Sequence, residues 1–141
     1  RKPQPRVEKK PALPQALGGR ETILVVEDEE PVRRFVSDLL KEYGYKVRLA
    51  SNGVEALDVW KQNSNEIDLL LTDVVMPQQI SGLELADRLI KEKNELKVIY
   101  TSGYSIELLD RHFGSRPEVN FLPKPYHPLK LAEALRTCLD S

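Results

Sequence analysis

The sequence predicts an α/β protein built on a doubly wound, five-stranded parallel sheet. Three observations lead there. Short apolar segments alternate with segments carrying a helical apolar stripe, five times between residues 22 and 139. The strand segments are apolar throughout, not at every second residue, which is the pattern of a sheet covered on both faces. The ionic groups gather just after the strand segments, where a doubly wound sheet places its functional edge.

Each element has its own signal. Ile23–Val26 is a β-branched run and reads as the first strand. Pro31 opens a helix, where its missing N–H does no harm. The stripe of that helix is Val32, Phe35, Val36, Leu39, Leu40 and Tyr43, at helical spacing, and Gly44 stops it. Lys46–Ala50 is the second strand. Asn52 and Glu55 form a capping-box pattern ahead of Ala56, Leu57 and Trp60. Ile67–Thr72 is the third strand, and Ser81 with Glu84 caps the next helix. Val98–Thr101 is the fourth strand, followed by a short helix over about 106–113. Val119–Leu122 is the fifth, and Pro128 starts a last helix with the stripe Leu131, Ala132, Leu135, Cys138 and Leu139. Cys138 and Trp60 are expected in the core, and His127 at the helix start.

Residues 1–20 differ. They hold four of the ten prolines, a basic cluster and a Gly18-Gly19 pair, and are expected to be a flexible linker ahead of a domain at 21–141. The basic cluster lacks the interleaved aromatics of a nucleic-acid arm. The net charge of −1 points to neither nucleic acid nor membrane. No apolar stretch approaches the ~20 residues of a membrane span. A single cysteine excludes an internal disulfide, so a reducing cytoplasm is the expected setting. The first residue is Arg1, so the chain is expected to be part of a longer one.

The strand ends carry the chemistry. Glu27 and Asp28 follow the first strand, Asp73 the third, Thr101 and Ser102 the fourth, and Lys124 the fifth. On one sheet edge these make a site of three carboxylates, a hydroxyl and a lysine. Clustered carboxylates repel one another, and a hard divalent cation with oxygen ligands, Mg²⁺, relieves this. Metal, lysine and hydroxyl around a central carboxylate suit phosphoryl oxygens. That carboxylate, Asp73, can itself be a nucleophile and form an acyl phosphate. The metal ligands are expected on one side of Asp73 and Lys124 on the other.

The stretches ILVVEDEEPVR, LLLTDVVMP, VIYTSGY and FLPKPY, in this order, resemble the four signature stretches of response-regulator receiver domains, over essentially all of residues 21–140. The resemblance implies a flavodoxin-like (CheY-like) fold with strand order 2-1-3-4-5 and five helices. It implies that Glu27, Asp28, Asp73 and the Val75 carbonyl hold Mg²⁺, that Asp73 accepts a phosphoryl group from a phosphohistidine, and that Ser102 and Lys124 bind that group. Phe121 would be the aromatic partner of Ser102 in a conformational switch. Gly103 would leave room for the phosphoryl group, and the Lys124–Pro125 peptide would be cis. The donor would be a histidine kinase core, in the same polypeptide or another, or a histidine phosphotransfer protein. The proline-rich lead into GGRETILVVEDE resembles C-terminal receivers of hybrid sensor histidine kinases, which would tether the domain to a membrane-bound sensor without membrane contact of its own. Two features depart from the commonest pattern. Glu27 stands where Asp is usual, which implies metal contact through water, and the 78–82 loop is one residue longer.

Two other classes compete. An aspartate-nucleophile phosphatase of the haloacid dehalogenase kind needs a second acid two residues after the nucleophile, where this chain has Val75. A phosphorylation-independent interaction module would not need the full set of groups. The domain is therefore expected to be a phosphoacceptor that assists its own phosphorylation and dephosphorylation, not a classical enzyme. Neither Val75 nor Tyr104, two residues beyond Asp73 and Ser102, offers a carboxylate or amide to orient an attacking water. A long-lived acyl phosphate is expected from that.

Overall fold

The computed structural model describes residues 18–74, 80–102, 120–124 and 127–140. Five parallel strands, β1 (Thr22–Val26), β2 (Lys46–Ala50), β3 (Ile67–Asp73), β4 (Lys97–Ser102) and β5 (Asn120–Pro123), pair in the order β2-β1-β3-β4-β5. Four helices are described: α1 (Glu30–Glu42), α2 (Gly53–Asn63), α3 (Gly82–Glu92) and α4 (Pro128–Asp140). The helix expected over 106–113 lies outside the described residues.

The sheet separates two cores. Ile23, Val25, Leu69, Leu71, Ile99 and Leu122 face α1 and α4, against Val36, Leu40, Leu131 and Leu135. Leu24, Val26, Leu70, Val98 and Tyr100 face α2 and α3, against Ala56, Trp60, Leu85 and Leu89. Both faces of every central strand are therefore buried, which is why those strands carry no polar alternation. The winding direction reverses between β1 and β3, so the crevice of the fold opens at the carboxyl ends of these two strands.

Local signals explain most boundaries. The Asn52 side chain accepts from Glu55 N at 2.8 Å, and Ser81 Oγ from Glu84 N at 3.1 Å. The His127 carbonyl accepts the first bond of α4, from Leu131 N at 3.0 Å, so this histidine is a helix-start residue. Gly44 ends α1 at φ 97°, and a Cβ there would also stand 2.8 Å from the Gly19 carbonyl oxygen. Cys138 and Trp60 are core residues, the indole donating to Glu92 Oε1 at 3.0 Å.

One part of the expected α1 stripe is wrong. Phe35 is 45% exposed, while Ser37 is buried. The buried line runs through Val36, Leu40 and Tyr43, and Phe35 sits about 100° around the helix from it, beyond the arc that meets the sheet. The helix also begins one residue early, at Glu30, with Glu29 as a cap that makes no side-chain bond.

The segment entering β1 is fastened to α4. Arg136 donates from Nη1 to Gly18 O at 3.0 Å and from Nη2 to Glu21 Oε2 at 2.8 Å, while Nε and Nη2 hold Asp140 at 3.1 and 2.7 Å. Gly19 N donates to Tyr43 O at 3.1 Å. The Glu21 carboxyl is held below its usual range, chiefly by the Arg136 guanidinium.

Gly82 opens α3 directly against the end of β3. Its N–H donates to Val74 O at 2.9 Å. A Cβ at Gly82 would fall on the Asp73 carbonyl oxygen and lie 2.9 Å from Asp73 C and 3.0 Å from Val74 Cα. All three atoms are backbone and cannot rotate away. Gly82→Ala is therefore expected to destabilise the domain by roughly 1–3 kcal/mol despite the better helix former. Urea denaturation of the two proteins measures this, and equal or greater stability of the alanine variant contradicts it.

Candidate functional site

Residue alternation places the site. Successive side chains of a strand point to opposite faces. Glu27 and Asp73 each lie two residues beyond a core residue of the α1/α4 face, Val25 and Leu71. The strand runs on past the end of the packed core, and the next side chain on that face is a carboxylate. Glu27 is 1% exposed and Asp73 7%, whereas Asp28 is exposed on the rim. Ligand oxygens of Glu27, Asp28 and Asp73 all lie within 4.8 Å of one another.

Lys124 closes the cluster from the end of β5. Its backbone N–H donates to Ser102 O at 2.9 Å, which fixes where the side chain starts. Its ammonium donates to Asp73 Oδ2 at 2.9 Å and lies 2.6 Å from Glu27 Oε1. Here the expectation of metal ligands on one side and lysine on the other needs correcting. The ammonium pairs with Glu27 as well as Asp73. The longer side chain of Glu27 reaches across the crevice, and its burial leaves an ammonium as the cheapest compensation. Its second oxygen, Oε2, accepts from Glu29 N at 3.2 Å. Arg33 Nη1 donates to Glu27 O at 2.8 Å and ties α1 to the same residue.

The charges follow from this geometry. Burial pushes the Glu27 carboxyl above its usual range. Lys124 and the Glu29 N–H pull it down, and the Asp73 charge adds to the rise. Burial opposes the charge on Lys124, but hydrogen bonds and charge from Glu27 and Asp73 outweigh it and hold the pKa above the lysine range. Three carboxyl groups stand against one ammonium, so acids are in excess. This donor set suits a hard divalent cation such as Mg²⁺.

Ser102 is buried, one residue beyond Thr101, the Cα partner of Asp73. It follows Val98 and Tyr100 in alternation, on the α2/α3 face. Phe121 is the Cα partner of Tyr100 and packs on the same core. Ser102 and Phe121 thus share a sheet face. Val75, Gly103, Tyr104 and Pro125 lie outside the described residues.

A family model described as the response regulator receiver domain matches residues 23–136. The chain belongs to this family. The sensor kinase CckA of Brucella abortus is 36% identical over 133 residues, which are 94% of this chain and 14% of that protein. The receiver protein CpdR of the same organism is 32% identical over 117 residues, 83% of this chain and 95% of that one. A crystal structure of the receiver domain from the hybrid histidine kinase CckA superposes with a TM-score of 0.70 at 38% identity, covering 84% of this chain and 98% of that one. A receiver domain from Clostridium thermocellum gives 0.72 at 28%, covering 85% and 94%. The flavodoxin-like receiver fold with strand order 2-1-3-4-5 is thereby shown, in a domain of two-component signalling. Among the described residues no helix is long and apolar enough to cross a membrane.

Sequence reasoning missed Gly82, Arg33 and the Glu27–Lys124 pair. Gly82 follows a capping serine, which marks a helix start but not the carbonyl behind it. Nothing in the spacing of residues 27, 33 and 124 announces that they meet.

Replacing Lys124 by methionine tests the electrostatics. Without the ammonium, Glu27 keeps its desolvation and the repulsion of Asp73, so its folded pKa stays above the unfolded value of 4.5. Such a group favours folding below its unfolded pKa and costs stability as pH rises through the folded pKa. Lys124→Met is expected to lose roughly 1–3 kcal/mol near neutral pH, with the deficit shrinking on acidification. A deficit that stays constant or grows toward acid contradicts this.

Proposed function

We propose that this receiver domain takes a phosphoryl group from a phosphohistidine onto Asp73. The observation that carries the reading is the placement of Lys124 on Asp73 inside a cluster of three acids. A carboxylate oxygen of Asp73 attacks phosphorus, the P–N bond to the imidazole breaks, and the nitrogen keeps the bonding pair. The product is an acyl phosphate, and the imidazole regains a proton from water. Lys124 holds Asp73 in place and meets the growing charge on the phosphoryl oxygens. Ser102 donates its hydroxyl to one of them, and Phe121, on the same face, follows its movement as the switch.

Glu27, Asp28, Asp73 and the Val75 carbonyl would hold Mg²⁺, with Glu27 acting through water because Lys124 already occupies its Oε1. When bound, the cation would supply charge neutralisation for the phosphoryl oxygens. The domain spans 21–141 and residues 1–20 link it to what precedes. The partner is a histidine kinase core or a histidine phosphotransfer protein. The likeness to the kinase CckA supports a hybrid kinase as the parent chain, with the domain on the cytoplasmic side. The domain is not a classical enzyme but promotes gain and loss of its own phosphoryl group.

The test is incubation with acetyl phosphate and Mg²⁺, read by intact mass. One phosphoryl group is expected on the parent and none on Asp73→Asn. Asp28→Asn should weaken Mg²⁺ binding by calorimetry and abolish loading. An unmodified parent, or full loading of either variant, sinks the reading.

The acyl phosphate is also expected to be long-lived. Once donor is removed, decay should be slower in the parent than in Val75→Asn and Tyr104→Glu, since a water-positioning contact commonly contributes a few kcal/mol, with ~1.4 kcal/mol per tenfold in rate. Equal decay in all three proteins removes these side chains from the argument.

A further inference from the structure

Thr101 is fully buried, and its Oγ1 has no hydrogen-bond partner among the described residues. A buried hydroxyl in that state is costly, and one retained in a native site calls for an explanation. Its position supplies one. Across β4, the Cα partners of Thr101 are Asp73 on one side and Leu122 on the other. Leu71, Ile99 and Leu122 belong to the α1/α4 core. Asp73 and Thr101 stand two residues further along their strands, hence on the same face, and Lys124 follows the end of β5.

Lys124 starts from the end of β5, yet its ammonium pairs with Asp73 on β3 and Glu27 on β1. Its side chain therefore reaches past the end of β4 toward Asp73, the residue in register with Thr101. An ammonium has three N–H donors; one bonds Asp73 Oδ2, and Glu27 Oε1 is an ion-pair partner without hydrogen-bond geometry. Glu27 at 2.6 Å competes with Asp73 at 2.9 Å for the same charge. A neutral acceptor on β4, on the Asp73 side of the competition, would bias the lysine toward the carboxylate that reacts.

We propose that the Thr101 hydroxyl is a positioning group for Lys124, accepting from its ammonium through one buried water. It keeps the lysine over Asp73 while the phosphoryl group arrives. This rests on the phosphoacceptor reading above.

The experiment uses the full chain with Thr101→Val, which keeps the shape and removes the hydroxyl, and Thr101→Ser, which does the reverse. Loading of Asp73 by acetyl phosphate with Mg²⁺ gives a rate, and ¹⁵N NMR of the lysine ammonium groups gives the proton exchange of Lys124. Thr101→Val should slow loading about tenfold, or ~1.4 kcal/mol of barrier, and speed exchange of the Lys124 ammonium. Thr101→Ser should stay close to the parent in both. Loading of Thr101→Val at the parent rate overturns the inference, as does a serine variant as slow as the valine one, which would assign the effect to the methyl group. Failure of the parent to load sinks the phosphoacceptor reading instead, and the ammonium exchange still decides what Thr101 does. If the valine variant does not fold, Thr101→Ala carries the same comparison.

Discussion

Glu27 and Asp73 are carried by their strands to the edge of the α1/α4 core, and one ammonium lies between them. It offsets the mutual repulsion of two buried carboxylates side by side. The three strands that supply the groups are held in register by the sheet. The lysine can bridge them only because β5 ends where its backbone N–H meets Ser102 O. The approach of α3 to Asp73 through Gly82, and of α1 to Glu27 through Arg33, then fixes the two carboxylates from opposite sides of the sheet. Fold and site therefore share the same few backbone positions.

Much of this was legible in the sequence because it rests on local rules. Apolar runs such as Leu69–Leu71 can only be buried strands in an alternating chain, and Asn52 and Ser81 announce helix starts by their own side-chain chemistry. The acids and the lysine were found because each ends a strand, and the topology brings strand ends together. The failures are equally specific. Phe35 fits a helical stripe by spacing, but spacing does not say where the sheet ends beside the helix. The cap at Glu29 makes no side-chain bond, so Pro31 alone marked the start of α1, one residue late. The pairing of Glu27 with Lys124 is set by side-chain length across three strands, which no local pattern records.

Relatives and geometry support different statements. A match over residues 23–136 establishes the family. It does not by itself say how the lysine is shared, and here the structure contributes the more particular observation. Glu27, with one more methylene than aspartate, spans to the ammonium and leaves Asp28 as the exposed acid of the cluster. The division of labour among three carboxylates thus follows from side-chain length and burial.

The Arg136 clamp has a mechanical consequence. Gly18 and Glu21 are bonded to a guanidinium on the last helix, 118 and 115 positions away in the chain. A pull applied at the entry of the chain therefore meets α4 before it meets β1. The bonds to Gly18, Gly19 and Glu21 stand between such a pull and the first strand. The acid cluster lies at the opposite, carboxyl end of the sheet and stands outside this path. The leading segment is thus anchored at the end of the sheet away from Asp73.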